Sequence, residues 1–137
     1  GMARLPDDVR GRGLTLAPRR SIPASMLVYK VFRAEEFAAY KIEGVSAGAA
    51  VDLADGYIHL STAEQAPETL AKHFAGETGL VMVALDTETL GPDLVWEPSR
   101  GGALFPHLYR PLRADDMVWV APIPLQGGHH LIPAAPV

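Results

Sequence analysis

The chain has 137 residues, 48% of them hydrophobic and 20% charged, with a formal net charge of −4 and no cysteine. That length favours one domain around one core. The lack of thiols excludes disulfide scaffolds, cysteine nucleophiles and cysteine-ligated zinc or iron–sulfur centres, and the net negative charge argues against a large nucleic-acid footprint. No apolar run reaches the ~20 residues that span a bilayer, and no secretory apolar stretch of about 7–15 residues opens the chain. A cytoplasmic protein without a membrane partner is the expectation.

Gly1 before Met2 reads as a cloning remnant. Residues 2–25 hold five arginines and three prolines without an apolar period. They are expected to form an N-terminal arm (1–25), with Met26 as the start of the domain and a candidate start of translation. A single domain over 26–125 and a C-terminal tail over 126–137 complete the division. Met26 to Phe32 is rich in β-branched and aromatic residues and predicts a strand. Residues 34–43 follow a helical pattern with Phe37 and Ile42 as candidates for burial, and Gly44 is the stop. Residues 45–54 are small and apolar and read as an ordered loop. Asp55-Gly56 is a turn signal, and Tyr57 to Leu60 is the second strand.

Ser61 to Glu64 fits a capping box, as does Thr62 with Gln65, so a helix is expected from there to Phe74. Pro67 calls for a tighter first turn or a start near Pro67 itself. Leu70 and Phe74 share one face, while Gln65, Thr69 and His73 form a polar stripe. Leu80 to Leu85 is a continuous apolar run, typical of a buried strand. Residues 86–92 read as a turn and Leu94 to Glu97 as a short strand. Residues 98–111 show no clear period, and Met117 to Ala121 is the last strand. This order predicts an α+β fold with antiparallel sheets and two main helices.

His59 is the first candidate for chemistry, because an imidazole in an apolar strand needs partners for its nitrogens. A core histidine bonded to a carbonyl would satisfy the same need. Ser61 lies on the same strand face, although its hydroxyl is expected to cap the helix. His73, with Gln65 and Thr69, becomes relevant if His59 points toward the same space; a solvated face is the plainer reading. The segment Trp96 to Tyr109 holds Glu97, Arg100, His107 and Tyr109: an acid, a fixed cation, a titratable ring and a phenol. Gly101-Gly102 would let the backbone approach a ligand closely, and arginine suits a carboxylate or phosphate. Phosphate-loop, dinucleotide and nucleophile-elbow motifs are missing. A metal site from His59, His73, His107 and Glu97 would require distant convergence.

Val28-Tyr29-Lys30, the segment Asp55 to Thr62, Gln65 with Thr69 and His73-Phe74, and the run Trp96 to Tyr109 together resemble a family catalogued as domain of unknown function 952. The resemblance covers about residues 26–121. More distantly, the chain is similar to the tRNA 2′-phosphotransferase branch of the ADP-ribosyltransferase-like fold. There, a histidine on the first strand and another in a His-Leu-Ser strand help to hold NAD. His59 matches the second; Tyr29-Lys30 stands where the first would be. The resemblance implies an ADP-ribosyltransferase-like arrangement and NAD or ADP-ribose as the ligand class. In an enzyme of this kind His59 would orient a ribose or phosphate, with Tyr29 and Lys30 also at the ligand. Glu97 or His107 would act as acid–base, and Arg100 would hold an anion. The alternative is a binding module that holds a nucleotide-like or acidic small molecule in the same pocket without turnover. The oligomeric state stays open.

Overall fold

The computed structural model describes residues 25–135. The N-terminal arm therefore lies outside the described residues except for Ser25. Strand β1 (Leu27–Phe32) pairs antiparallel with β4 (Leu80–Asp86), and β4 pairs antiparallel with β8 (Met117–Ile123), giving a main sheet of order β1-β4-β8. Strand alternation sends successive side chains to opposite faces. Val83 and Leu85 enter one core with Val28, Phe32 and Tyr40, whereas Leu80 and Met82 enter a second with Val31 and Leu70. Both faces of β4 are covered, which is why its sequence is an unbroken apolar run.

Helix α1 (Ala34–Glu43) lies on the first core. Tyr40 is fully buried there, and its hydroxyl donates to the Arg113 carbonyl at 2.6 Å. Phe37 packs against the same cluster. Ile42 does not: it is 84% exposed, against expectation. The buried stripe is set by Phe37 and Tyr40, three residues apart, and Ile42 sits about 200° around the helix from Tyr40.

The segment expected as a loop over 45–54 contains regular structure. β2 (Val45–Ser46) pairs with β7 (Leu112–Arg113), and α2 (Ala50–Asp55) ends at Gly56 in the left-handed region, φ 85°. Asp52 is the buried residue of α2, so no apolar period marked it as a helix. β3 (Ile58–His59) follows. Helix α3 (Ala66–His73) begins with Pro67 in its first turn. Thr62 and Gln65 bond reciprocally just before it: Thr62 N–H to Gln65 Oε1 at 3.0 Å, and Gln65 N–H to Thr62 Oγ1 at 3.2 Å. Ser61 is not the cap, because its hydroxyl pairs with Thr69 Oγ1 at 2.9 Å.

After β4 the expected turn is a short helix, α4 (Thr87–Leu90), with Asp86 accepting from the Glu88 N–H. β5 (Leu94–Pro98) and β6 (Leu104–Leu108) then form an antiparallel hairpin, and β3 pairs with the other edge of β6. This second sheet has the order β3-β6-β5. Residues 98–111 hid a central strand because Pro106 sits in its middle, where proline normally argues against one. The segment expected as a tail carries the hairpin β9 (Leu125–Gln126) and β10 (His129–His130), and His130 Nε2 donates to the Glu77 carbonyl at 2.8 Å.

One short stretch joins the two sheets. The Leu60 N–H bonds to the Pro106 carbonyl at 3.0 Å, and Ser61 exchanges two backbone bonds with Tyr29 at 2.8 and 2.9 Å. The chain thus leaves β6 and joins β1 between adjacent residues. Urea denaturation should find Ile42→Lys within about 0.5 kcal/mol of wild type. The buried Phe32→Ala should lose roughly 3–5 kcal/mol. Equal losses at the two positions would contradict this packing.

Candidate functional site

A buried carboxylate lies behind the β3-β6-β5 sheet. The Asp52 side chain is fully buried, and its two oxygens collect four donors. Oδ2 accepts from Lys30 Nζ and from the Ala49 N–H, both at 2.7 Å. Oδ1 accepts from the His59 N–H at 3.0 Å and contacts His59 Nδ1 at 2.6 Å. Burial pushes the Asp52 carboxyl up, but Lys30 and the His59 contacts outweigh it and hold the group below its ordinary value. An ionised Asp52 can only accept, so His59 Nδ1 carries a proton. Gly48 makes room for this arrangement: a Cβ there would overlap the Asp52 carboxylate, and its φ is +93°.

His59 is committed on its other side as well, with Nε2 2.9 Å from Asp55 Oδ2. While both contacts stand, the ring offers no free lone pair. Lys30 is equally engaged: it is 6% exposed and also reaches the His59 carbonyl at 3.4 Å. Tyr29 faces the second core, its ring 5.9 Å from that of Trp119.

His107 is arranged differently. It lies directly opposite His59 in the β3–β6 register, with the two rings 5.5 Å apart. Its Nδ1 is 2.7 Å from Glu97 Oε1, and the Tyr109 hydroxyl donates to the same oxygen at 2.8 Å. Those two hydrogen bonds, that from His107 first, lower the Glu97 carboxyl from its ordinary value. Glu97 therefore accepts and His107 Nδ1 donates, which leaves Nε2 as the acceptor in the neutral ring. Among the described residues Nε2 has no hydrogen-bond partner. Tyr57 stacks on the His107 ring at 4.2 Å and also touches His59 at 4.7 Å and Tyr109 at 5.2 Å. Burial, then Asp55, Glu97 and Asp52, raise the Tyr57 phenol above its usual value.

The face therefore brings together His59, His107, Glu97 and Tyr109 of the expected set, together with Tyr57, Asp52 and Asp55, which were not among it. Alternation accounts for the grouping: Tyr57 and His59, beside and on β3, and His107 and Tyr109, on and beside β6, are each two residues apart. Asp52 had one signal in the sequence, as an acid three residues after a helix start, where it can accept from the leading N–H groups. Ser61 and Thr69 bond to each other, and Gln65 Nε2 donates to the Leu104 carbonyl at 2.8 Å, so these three tie α3 to the sheets. His73 is exposed in the last turn of α3. Arg100 opens the 3₁₀ turn Arg100–Gly102, and its side chain lies outside the described ones. Among the described residues, no three histidine, aspartate or glutamate side chains are placed to hold a metal ion. No helix among them is long and apolar enough to cross a membrane.

A family model described as protein of unknown function (DUF952) matches residues 31–120, and the chain belongs to that family. The crystal structure of protein CC0527 from Caulobacter crescentus has the same fold. It is 50% identical, covers 77% of this chain and 94% of its own, and superposes with a TM-score of 0.75. The solution NMR structure of CC0527 is 51% identical over 76% of this chain and 90% of its own, with a TM-score of 0.69. No curated protein matches the chain.

Two predictions concern Asp52. Its folded pKa is depressed, so its contribution to stability is fully present above the unfolded value of about 3.9 and is lost as pH falls through the folded value. Asp116 is shifted the same way: burial raises it, and Arg110 and the Arg113 N–H more than compensate. Urea midpoints should hence decline as pH drops below about 4, and a flat profile in that window would remove both assignments. Gly48→Ala should cost about 2 kcal/mol through strained φ and a displaced carboxylate. Gly76→Ala shares the positive φ but meets open space, so it isolates the backbone part.

Proposed function

We propose that the open face of the β3-β6-β5 sheet binds a small polar molecule and acts on it by acid–base catalysis at His107. The observation that carries this reading is the buried His107 ring, which is oriented through Nδ1 by Glu97 and whose Nε2 has no partner among the described residues. A carboxylate on one nitrogen fixes the tautomer and leaves the other nitrogen to accept or return a proton. Tyr57 and Tyr109 supply flat surfaces for a ring or sugar face. His59, held between Asp52 and Asp55, acts as a positioning residue for Tyr57 and the strand.

An ADP-ribosyltransferase-like arrangement is supported by the order β1, α1, Gly44, then, after β2 and the short α2, His59-Leu60-Ser61 and α3. Lys30, standing where that branch has its first histidine, is spent on Asp52. We accordingly favour a nucleoside- or sugar-like ligand over one recognised mainly through phosphate. The engaged nitrogens of His59 favour a second reading, binding without turnover.

The test is a thermal-shift screen with NAD, ADP-ribose, nucleosides, nucleotides and divalent metals, followed by turnover assays on each hit. His107→Asn should abolish the shift or reduce turnover by about 100-fold or more. Glu97→Gln, a change at a half-exposed position, should weaken activity and move its pH profile. Wild-type response to any hit in both variants would overturn the acid–base reading. Binding that needs His107 with no turnover would select the second one.

A further inference from the structure

A cavity of about 240 Å³ opens beside the site, and nothing above assigns it a role. Tyr57 and Tyr109 line it, and the same two residues reach His107 by ring stacking and Glu97 through the Tyr109 hydroxyl. Leu53 and Pro111 supply exposed apolar wall, over the core residues Ile58 and Leu108. The two charged residues that touch the cavity are both neutralised. Asp52 is paired with Lys30 and His59, while Arg110 makes two bonds to Asp116 at 2.8 and 3.0 Å. An ionic group entering here would find no unpaired counter-charge among the lining residues. The volume falls below the roughly 300–1,000 Å³ of pockets that enclose a whole drug-sized ligand, so it suits part of a molecule.

We infer that the ligand of this protein carries a small neutral apolar group, a single ring or a short branched chain, that seats in this cavity while its polar part crosses Tyr57 to His107. The cavity half of the inference stands on the wall chemistry; the crossing to His107 rests on the acid–base reading above. Leu53 is 65% exposed, and Ala47 is exposed on the lining, so either can be enlarged without disturbing a core.

The experiment titrates the full chain with benzamide, benzoate and benzamidine, which share a ring and differ in charge, and follows backbone amide shifts by NMR. Benzamide should shift Leu53, Tyr57 and Tyr109 saturably and bind at least about fivefold tighter than either ion. Ala47→Phe and Leu53→Trp should each weaken it about tenfold or more. Equal or tighter binding of benzoate or benzamidine overturns the neutral class, and unchanged benzamide binding in both filled variants overturns the cavity. Cavity binding of benzamide together with wild-type behaviour of His107→Asn toward every screened ligand would keep the cavity and discard the acid–base reading. Loss of activity in His107→Asn with no benzamide shift would do the reverse.

Discussion

Asp52 is the group on which the rest of the site depends. A carboxylate with no solvent contact is costly unless its oxygens are met by donors. Here Lys30 comes from β1, Ala49 from the start of α2, and His59 from β3 by both backbone and ring. One side chain therefore ties α2, which adds no apolar residue to the core, to β1 and β3. α2 is six residues long and exposes Val51 and Leu53, so apolar burial alone would not hold it. The charge pair does what a larger core would do elsewhere, and it also sets the plane of the His59 ring.

The second dyad builds on that frame. His59 and His107 face each other across two strands and look alike in composition, since each has a carboxylate on Nδ1. They differ in what surrounds the other nitrogen. Asp55 closes off His59, while His107 Nε2 has no hydrogen-bond partner among the described residues. The asymmetry separates the two rings: His59 is engaged at both nitrogens, and His107 at Nδ1. Tyr57 lies between them and borders the cavity, so its ring touches every part of the site.

Much of this was legible in the chain, and the exceptions have physical causes. The unbroken apolar run Leu80 to Leu85 marked the central strand, and the Thr62–Gln65 spacing marked a helix start. Asp55-Gly56 marked the turn ahead of His59. What stayed hidden was stabilised by polar contacts at long sequence separation. α2 had no apolar face to reveal it, because its inward residue is an aspartate. β6 was masked by Pro106, whose carbonyl still serves Leu60. Ile42 misled because hydrophobicity marks candidates for burial, and only the angle around the helix decides among them. Tyr57 was read as the start of the second strand and not as a site residue, although its spacing from His59 put both rings on one face.

The passage from Leu60 to Ser61 has a consequence for how such a chain can vary. Leu60 belongs to one sheet and Ser61 to the other, with no spare residue between them. Side chains alternate faces at every step, so one added or deleted residue would turn His59 into the core and Ile58 out of it. Substitutions along this stretch can be absorbed one at a time, whereas changes of length cannot. Any lineage of this protein is therefore free to alter the side chains of this face, but it is locked in the number of residues that lead into it.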